Sequence, residues 1–396
     1  MIWGAGMDPE SFTNDAPGRL IRSGEGREAY WAFVPDPLPP RLNLHDLELW
    51  RVHSAADRAI GELSGLGRAI PNPHILVSPF LRREAVLSSQ IEGTQTGIAE
   101  LYAFEAGQLS LPGLETEAQR EDAQEVANYV TALQHGVARL AELPVSPFLV
   151  RELHTLLMKG VRGEHKAPGT IRQIDVYSGG PTVGLSAAEF VYPPHYEVAP
   201  ALDDLEKYIA DEDSLPPLLR LALIHYQFEV IHPFMDGNGR VGRLLISLLT
   251  VKWGLLPAPL LYLSAYFQRH RTEYVTHLRD VSTRGAWRDW VLFFLQGVLE
   301  QAVDAVDRAK RLQDLQLSWR TQLAHETRSV ALLAVVDSLL DTPVVTSSQI
   351  MSRHQIGDSA ARGIIRQLVD LGILERAADT GRQRLYWCRP ILSILK

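Results

Sequence analysis

The chain has 396 residues, of which 46% are hydrophobic and 22% charged, proportions that exclude a collagen-like, coiled-coil or wholly disordered protein. Its single cysteine, Cys388, excludes an internal disulfide framework, and because no signal peptide or apolar run of roughly 18 residues occurs, we expect a soluble cytoplasmic protein without a membrane partner. Residues 311–396 carry 11 basic and 8 acidic side chains, whereas residues 1–310 carry 28 and 39, so the acidic body can bind an anion only at a built site.

The N-terminal third is predicted to be helical after a short arm. Residues 1–28 lack hydrophobic periodicity and are expected to form a loose arm. Apolar residues at helical spacing predict an amphipathic helix over 44–63. A second helix is predicted with Ser78 as N-cap, Pro79 at its first position and Gly93 just beyond its end.

Helical patterns continue through the middle of the chain, which indicates a mainly α protein. They cover residues 117–142, 146–159, 199–211, 216–231 and 240–253, and a long polar helix follows near 287–325. The exception is 171–193, where two short apolar runs flank turn residues that include Gly179-Gly180-Pro181. This segment predicts a β-hairpin on a helical body.

The last part of the chain changes pattern. Three short helices, Val330 to Leu340, Ser347 to Arg353 and Ser359 to Leu371, precede two strands around Asp379-Thr380-Gly381. Three helices and a hairpin in about 65 residues are typical of a winged helix-turn-helix. We therefore expect an N-terminal helical segment over 1–110, a central domain over 111–310, and a linker helix with the winged helix over 311–396.

One segment, 218–254, concentrates the residues that carry chemistry. Its first helix is apolar nearly all round and should be buried, and Pro233 ends that helix at His232. Gly237, Asn238 and Gly239 follow and can adopt positive φ, exposing successive backbone N–H groups at the start of a new helix. Backbone amides at a helix N-terminus are an anion site.

Charged side chains next to that loop fit a phosphate ligand. Arg240 and Arg243, three residues apart, lie in the first turn of the new helix and can bind phosphate oxygens. Cations at a helix N-terminus oppose its dipole unless an anion lies between them. Asp236 supplies a hard oxygen suited to a phosphate-bound Mg²⁺.

The run from Gly237 to Gly242 also matches the G-x-G-x-x-G dinucleotide fingerprint. That fingerprint requires a strand before the loop and an acidic residue about 20 residues later. Here a helix precedes the loop, and Leu255 to Phe267 contains no acidic residue. The context therefore excludes a Rossmann site.

The sequence HPFMDGNGRVGR, His232 to Arg243, resembles the complete signature of Fic-domain proteins, which typically transfer AMP from ATP to a hydroxyl group of a protein. The resemblance implies the Fic helical fold, ATP and Mg²⁺ as cofactors, and a protein partner with a target hydroxyl, the chain itself included. It also implies roles: His232 as general base, Asp236 as the Mg²⁺ ligand, and phosphate binding by Gly237, Asn238, Gly239, Arg240 and Arg243. Phosphate transfer is disfavoured because the kinase-like branch lacks this G-N-G pattern.

A second resemblance concerns regulation. Ser88-Ser89-Gln90-Ile91-Glu92-Gly93 is similar to the S/T-x-x-x-E-G/N motif of the Fic branch with an N-terminal inhibitory helix. The resemblance implies that Glu92 pairs with Arg243 and prevents productive placement of the γ-phosphate, with Ser88 and Gly93 completing the motif. A carboxylate at a helix C-terminus interacts unfavourably with the helix dipole, at a cost of about 0.3–1 kcal/mol, and a cationic partner would offset this cost.

Two further segments resemble parts of that family. Residues 171–193 are similar to the flap, the hairpin that aligns a target segment by main-chain pairing. Leu263 to Leu278 is similar to the helix that completes the nucleotide pocket, with His270 where the family often has asparagine. His225, one heptad before His232, is expected to be a core hydrogen-bonding residue.

The C-terminal module leaves its partner open. Arg362, Arg366 and Ser359 can face a DNA groove, and Arg376, Arg382 and Arg384 decorate the wing, but a net charge of +3 is small for duplex binding. A protein-binding or homodimerisation module fits equally well.

Two other functions remain as alternatives to protein adenylylation. One is a DNA-binding regulator whose Fic body senses a nucleotide, and the other is hydrolytic removal of AMP from a modified protein. The sequence names neither the protein target nor its acceptor residue.

Overall fold

The structure of the protein, a computed structural model, describes residues 7–43, 45–69, 74–107, 114–178, 184–211, 215–326, 329–377 and 384–396. It has a mainly α fold with short strands, as the sequence predicts. The predicted turns at 179–181 and 379–381, together with Arg382, lie outside the described residues.

The predicted helices of the body occur in the predicted order, but a helix over residues 98–105 was not predicted, and the segment 263–278 contains two helices, divided at His270, where one was expected. The bounds of the body helices are α1 Leu47–Ala69, α2 His74–Ile91, α3 Ile98–Glu105, α4 Glu117–Arg139, α5 Pro147–Leu157, α6 His195–Ala210, α7 Pro217–Ile231, α8 Asn238–Lys252, α9 Ser264–Arg269, α10 Arg271–Arg284 and α11 Trp287–Glu326. Helix α7 lies at the centre, and its apolar side chains, such as Leu219, Leu223 and Ile231, are fully buried because α6, α8, α11 and the strand over residues 30–35 pack against it. His225 lies in this core and contacts the Tyr274 hydroxyl at 2.9 Å, as predicted.

From residue 7 onward, where the structure describes it, the N-terminal arm is not loose, which corrects the sequence prediction for that part. Strand β1, Gly18–Ser23, pairs antiparallel with β2, Tyr30–Pro35, in an unbroken register from Gly18 opposite Pro35 to Ser23 opposite Tyr30. Phe33 is fully buried, and its ring lies 5.5 Å from that of Phe12 and 5.9 Å from that of Phe190. Burial against the distant Phe190 orders the arm, and no local periodicity could have indicated it.

Helix α2 begins a turn earlier than predicted. It starts at His74, so Ser78 is a helical residue and not the N-cap, and Pro79 lies inside the helix. Leu76 and Phe80 are both 3% exposed. The burial of Leu76 and Phe80 offsets the free energy that is lost because Pro79 cannot donate a main-chain hydrogen bond within the helix. The predicted end is close, since Gly93, with a φ of +106°, lies two residues after Ile91, the last residue of the helix.

The predicted flap is a short hairpin. Strand β3, Tyr177–Ser178, pairs antiparallel with β4, Phe190–Val191. Strand β3 follows the loop after α5, and strand β4 precedes α6. The segment with Ile174 before β3 and the segment with Pro193 after β4 therefore connect the hairpin to the helical body.

The C-terminal module contains the elements of the predicted winged helix-turn-helix and two more. They are α12 Val330–Leu339, β5 Val344–Thr346, α13 Ser347–His354, α14 Asp358–Asp370, β6 Glu375–Arg376, β7 Leu385–Trp387 and α15 Arg389–Leu395. The three strands form an antiparallel sheet in the order β5-β7-β6. Strand β5 and helix α15 were not predicted, because three or seven residues are too few to show a period.

The module packs against the body. Helix α15 contacts α2, α3 and α11, and strand β5 contacts α3. Arg308 of α11 donates to the Ile394 carbonyl, and Arg320 of the same helix pairs with Asp337 of α12. Helix α11 runs unbroken across residue 310, so the boundary predicted there falls inside a helix and stays a prediction.

None of the helices described is both long and apolar enough to cross a lipid bilayer.

Candidate active site

The loop between α7 and α8 begins at His232. This residue ends α7 with φ +50° and ψ +61°, the left-handed conformation, which few residues other than glycine adopt. Pro233 disfavours a further right-handed helical residue at this point. The break in the helix turns the His232 side chain into the cleft between the flap and α8.

The His232 imidazole is held in one tautomer. Its Nδ1 lies 3.1 Å from the Glu229 carbonyl oxygen, which can only accept, so Nδ1 carries the hydrogen and Nε2 keeps its lone pair. The ring stacks on Tyr192, with centroids 3.8 Å apart and planes 13° apart. Burial lowers the pKa of His232 to about 4. The ring is therefore neutral at pH 7, as a proton acceptor must be.

The glycine-rich turn leads into α8. Gly237 has a φ of +76° and stands at the N-cap, a conformation that favours glycine. The Asn238 side chain accepts from the Phe234 N–H at 2.8 Å and donates to the Phe234 carbonyl at 2.9 Å. Asn238 thus closes the loop on itself, while the first N–H groups of α8 have no acceptor within the helix. Those N–H groups can bind an anion.

Arg243 joins α8 to α2. Its Nε donates to the Ser88 hydroxyl at 2.8 Å, and its Nη2 donates to the Ser88 carbonyl at 3.0 Å and to Glu92 Oε1 at 2.6 Å. Burial opposes charge on both partners, but their mutual attraction outweighs it, so the pKa of Arg243 is raised and the pKa of Glu92 is lowered. The structure therefore brings together the two segments that the sequence connects by resemblance.

The Glu92 carboxylate lies over the start of α8. A Cβ atom added to Gly239 would be 2.4 Å from Glu92 Oε1 and 2.9 Å from Arg243 Nη1. Any side chain at position 239 would displace this pair. The second glycine of the turn thus makes room for the carboxylate as well as for a ligand.

The other arginine of the motif faces a different helix. Arg240 is 4% exposed, and its Nη1 donates to Glu125 Oε2 of α4 at 3.3 Å. Arg162 pairs with the same carboxylate at 3.1 Å. Burial raises the pKa of Glu125 despite both arginines. The two arginines of the motif are thus each paired with a carboxylate from a neighbouring helix.

Asp236 faces a lysine. Its Oδ2 accepts from Lys166 Nζ at 2.7 Å, and its Oδ1 accepts from the Gly237 N–H at 2.7 Å. Burial opposes its charge, but Lys166 outweighs burial and holds the pKa of the Asp236 carboxyl below its usual range. Asp236 is therefore ionised at neutral pH.

Sequence reasoning missed several residues that support the loop. His154 of α5 stacks on Phe234 with centroids 3.8 Å apart, accepts from the Gly169 N–H through Nδ1 at 2.8 Å, and contacts the Asp236 carbonyl through Nε2 at 3.0 Å. Burial raises the pKa of Glu229 to about 7. The available signal for Glu229 was that it is the single acidic residue of α7, whereas nothing local singled out His154.

A cavity of about 290 Å³ lies between the flap, the loop that joins α7 to α8, and α10. Its lining includes His232, Gly239, Arg243, Glu92 and Tyr274. The residue that departs from the family pattern, His270, instead pairs with Glu273 at 3.4 Å.

The predicted DNA-facing residues are at the surface of the C-terminal module. Ser359, Arg362 and Arg366 are exposed on α14. Arg362 pairs with Asp358 at 2.8 Å, which places an acidic group beside the predicted contact surface. Arg376 and Arg384 are exposed as well, and DNA binding stays a prediction.

Comparison with known proteins gives two family matches. The model described as the Fic/DOC family N-terminal region matches residues 50–138, and the model described as the Fic/DOC family matches residues 144–250. The second match contains the whole loop from His232 to Arg243.

Among curated relatives, a probable protein adenylyltransferase of Aquifex aeolicus is 24% identical over 337 residues, covering 81% of this chain and 90% of that protein. A protein adenylyltransferase of Caenorhabditis elegans is 33% identical over 115 residues, which are 28% of this chain and 21% of that protein. The alignment with the nematode protein thus spans about a fifth of that protein's length.

Among solved structures, a Fic family protein from Desulfovibrio desulfuricans G20 matches with a TM-score of 0.56 at 19% identity, covering 88% of this chain and 98% of the other. At that identity the likeness concerns the fold.

Proposed function

The chain belongs to the Fic/DOC family, and on that premise we propose that it is a protein adenylyltransferase, a nucleotidyltransferase that moves AMP from ATP to a hydroxyl group of a protein. The curated relatives in Aquifex aeolicus and Caenorhabditis elegans carry that name. Its partner is a protein with a serine, threonine or tyrosine hydroxyl, and the chain itself is one such partner.

His232 is the general base of the proposed reaction. As the target oxygen bonds to the α-phosphorus of ATP, its proton passes to Nε2 and the bond to the β-phosphate oxygen breaks, releasing pyrophosphate. Two features support this role, namely the 3.1 Å contact of Nδ1 with the Glu229 carbonyl, which leaves Nε2 to accept the proton, and the burial that lowers the pKa of His232 to about 4. A positioned base contributes typically about 10²–10⁴ in rate.

The turn from Gly237 to Gly239 binds the phosphates through the first N–H groups of α8. Arg240 and Arg243 add positive charge at the same helix end, where an anion relieves their conflict with the dipole. For either guanidinium to reach phosphate oxygens, its carboxylate partner, Glu125 or Glu92, must share or release it.

The donor set fits a phosphate-bound Mg²⁺. Asp236 is ionised and offers one hard oxygen ligand, and Mg²⁺ is usually bound by one or two carboxylates together with substrate phosphates. Mg²⁺ would stabilise negative charge on the phosphates. Lys166 must leave the Asp236 carboxylate for the ion to bind there.

We further propose that Glu92 inhibits the enzyme. While Arg243 is bound to Glu92 and Ser88, it is withheld from the γ-phosphate, and the carboxylate lies where an incoming phosphate would meet like charge. ATP then binds without the in-line geometry that attack at the α-phosphorus needs. Inhibition and catalysis thus compete for one guanidinium.

The observation that carries the proposal is the convergence of a neutral imidazole, a glycine-rich helix start and Arg243 in one cavity. Incubation with ATP labelled on the α-phosphate, followed by mass spectrometry of the protein, tests it. Transfer predicts that label remains attached to a side chain after denaturation. Label attached from the γ-phosphate, and none from the α-phosphate, would instead indicate a kinase.

A further inference from the structure

One buried guanidinium connects the loop that begins at His232 with both ends of the flap. Arg172 is 2% exposed. Its Nε donates to the His232 carbonyl at 2.8 Å, its Nη1 donates to the Ile174 carbonyl at 3.0 Å, and its Nη2 donates to the Pro193 carbonyl at 2.6 Å. Its own backbone N–H donates to the Pro233 carbonyl at 3.0 Å.

The three acceptors belong to three separate segments. His232 is the C-cap residue that follows α7, Ile174 precedes β3, and Pro193 follows β4. Carbonyl groups at a helix C-terminus have no partner within the helix, and a cation there is favoured by the dipole. Arg172 therefore satisfies the end of α7 and fixes the flap to it with the same planar group.

We propose that Arg172 is a positioning residue that sets the His232 imidazole and the flap in register with each other. The flap is the element that the proposed reaction uses to align a target segment, so this inference rests on the proposed function. The guanidinium fixes the carbonyl of the residue that carries the base, and it fixes the two chain ends that carry the flap. Target alignment and base placement then depend on one side chain that touches neither substrate.

The contacts of Tyr192 agree with this arrangement. Tyr192 adjoins Pro193, and its ring stacks on His232 at 3.8 Å. Its backbone N–H donates to the Val176 carbonyl at 3.1 Å, which closes the base of the flap. If the Arg172 guanidinium no longer binds its three carbonyl groups, the stacked rings of Tyr192 and His232 lose the support of both segments that carry them.

Lysine cannot replace this arginine. A guanidinium offers five N–H donors in a fixed plane, whereas an ammonium is a compact charge on a flexible stem. Arg172→Lys keeps the charge and loses the simultaneous contact with three carbonyls. The variant thus separates geometry from charge.

The chain offers a matched control in Arg220. Its guanidinium is also buried and donates to main-chain carbonyls at a helix end, to Tyr208 at 2.6 Å and to Asp211 at 2.9 Å after α6. It lies outside the cavity lining. Arg220→Lys should therefore reproduce the loss of stability without the loss of alignment.

The test compares both lysine variants in a Glu92→Gly background. For Arg172→Lys we expect a fall in kcat of about 100-fold, the order of effect that misplaced reactants produce, with the KM for ATP changed less than about twofold. The His232 ring resonances should also move, because the ring-current shift from Tyr192 is lost. Arg220→Lys should change neither kcat nor these resonances. Equal kcat for the two variants, or unmoved His232 resonances in Arg172→Lys, would overturn the proposal.

Two measurements keep the test independent of folding and of activity. If Arg172→Lys does not fold, hydrogen exchange of the unaltered protein replaces it: segments 172–178 and 228–236 should open at one common rate, and exchange at separate rates would overturn the proposal. If Glu92→Gly with Arg172 intact labels no protein, the proposed function fails, while the resonance and exchange measurements still decide the role of Arg172.

Discussion

Replacing Glu92 with glycine should activate the enzyme. The change removes the acceptor that lies 2.6 Å from Arg243 Nη2 and clears the space above Gly239. Ser88 still accepts two hydrogen bonds from Arg243, so the guanidinium should stay near its present place. The freed N–H group then becomes available to the γ-phosphate.

The contacts set the size of the effect. A hydrogen bond to a charged group is worth about 1.5–3 kcal/mol, and each 1.36 kcal/mol corresponds to a tenfold change in rate. The side chain of Arg243 is 2% exposed, but that of Glu92 is 39% exposed, so water weakens the attraction and the upper limit is excluded. We expect turnover to rise by about 10- to 100-fold.

The assay measures incorporation of α-labelled AMP at saturating ATP, with self-modification and labelling of added proteins recorded separately. Adding Arg243→Ala to Glu92→Gly should abolish the gain, because the released arginine is the activating group. Glu152→Ala is the matched control, since it removes a carboxylate that pairs with Arg139 at 3.2 Å outside the cavity. It should leave turnover unchanged. Equal turnover of folded wild type and Glu92→Gly would refute the inhibitory role.

Four further predictions concern the site and the C-terminal module. His232→Ala should lower AMP transfer by about 10²–10⁴ while ATP binding persists, and undiminished transfer would exclude His232 as the base. In the unaltered protein the pKa of His232 is lowered from 6.5 to about 4, so its contribution to stability is complete above pH 6.5 and is lost as the pH falls toward 4. The ring resonances of His232 should therefore not titrate between pH 7.5 and 5.5 in an NMR titration. A midpoint near 6.5 would contradict the argument that burial lowers this pKa. Asp236→Ala should remove most activity and its dependence on Mg²⁺, measured as rate against metal concentration, and an intact metal response would assign the ion to another ligand. If the winged helix binds duplex DNA, Arg362→Ala with Arg366→Ala should flatten the salt dependence of binding by about one log–log unit for each lost phosphate contact, and no binding by the wild type at low salt would reject the hypothesis.

The sequence by itself determined which candidate groups lie together in the loop and the order of most body helices. From His232 to Arg243, all the candidate groups lie within twelve residues, and a proline, the glycines and a helix start already indicate a turn between two helices, although the contacts of His154 and Arg172 with that turn could not be predicted. The long body helices were predictable for a similar reason, since burial of one face imposes a period that can be counted.

Only the tertiary structure decided which groups meet across long separations. Glu92 and Arg243 are 151 residues apart, and resemblance connected them, but the hydrogen bonds to Ser88 and the position over Gly239 depend on how α2 packs on α8. The pairing of Arg240 with Glu125, the approach of Lys166 to Asp236 and the ordered N-terminal strands left no local signal.

Arg172 shows the physical reason. Its sequence neighbours do not distinguish it from a surface arginine, and its role comes from carbonyl groups that the fold brings to it from three segments. Main-chain carbonyls are present at every residue, so a sequence carries no mark of which ones will need a donor. Only after α7 ends at His232 and the flap returns at Pro193 do those acceptors lie close enough for one guanidinium to bind them.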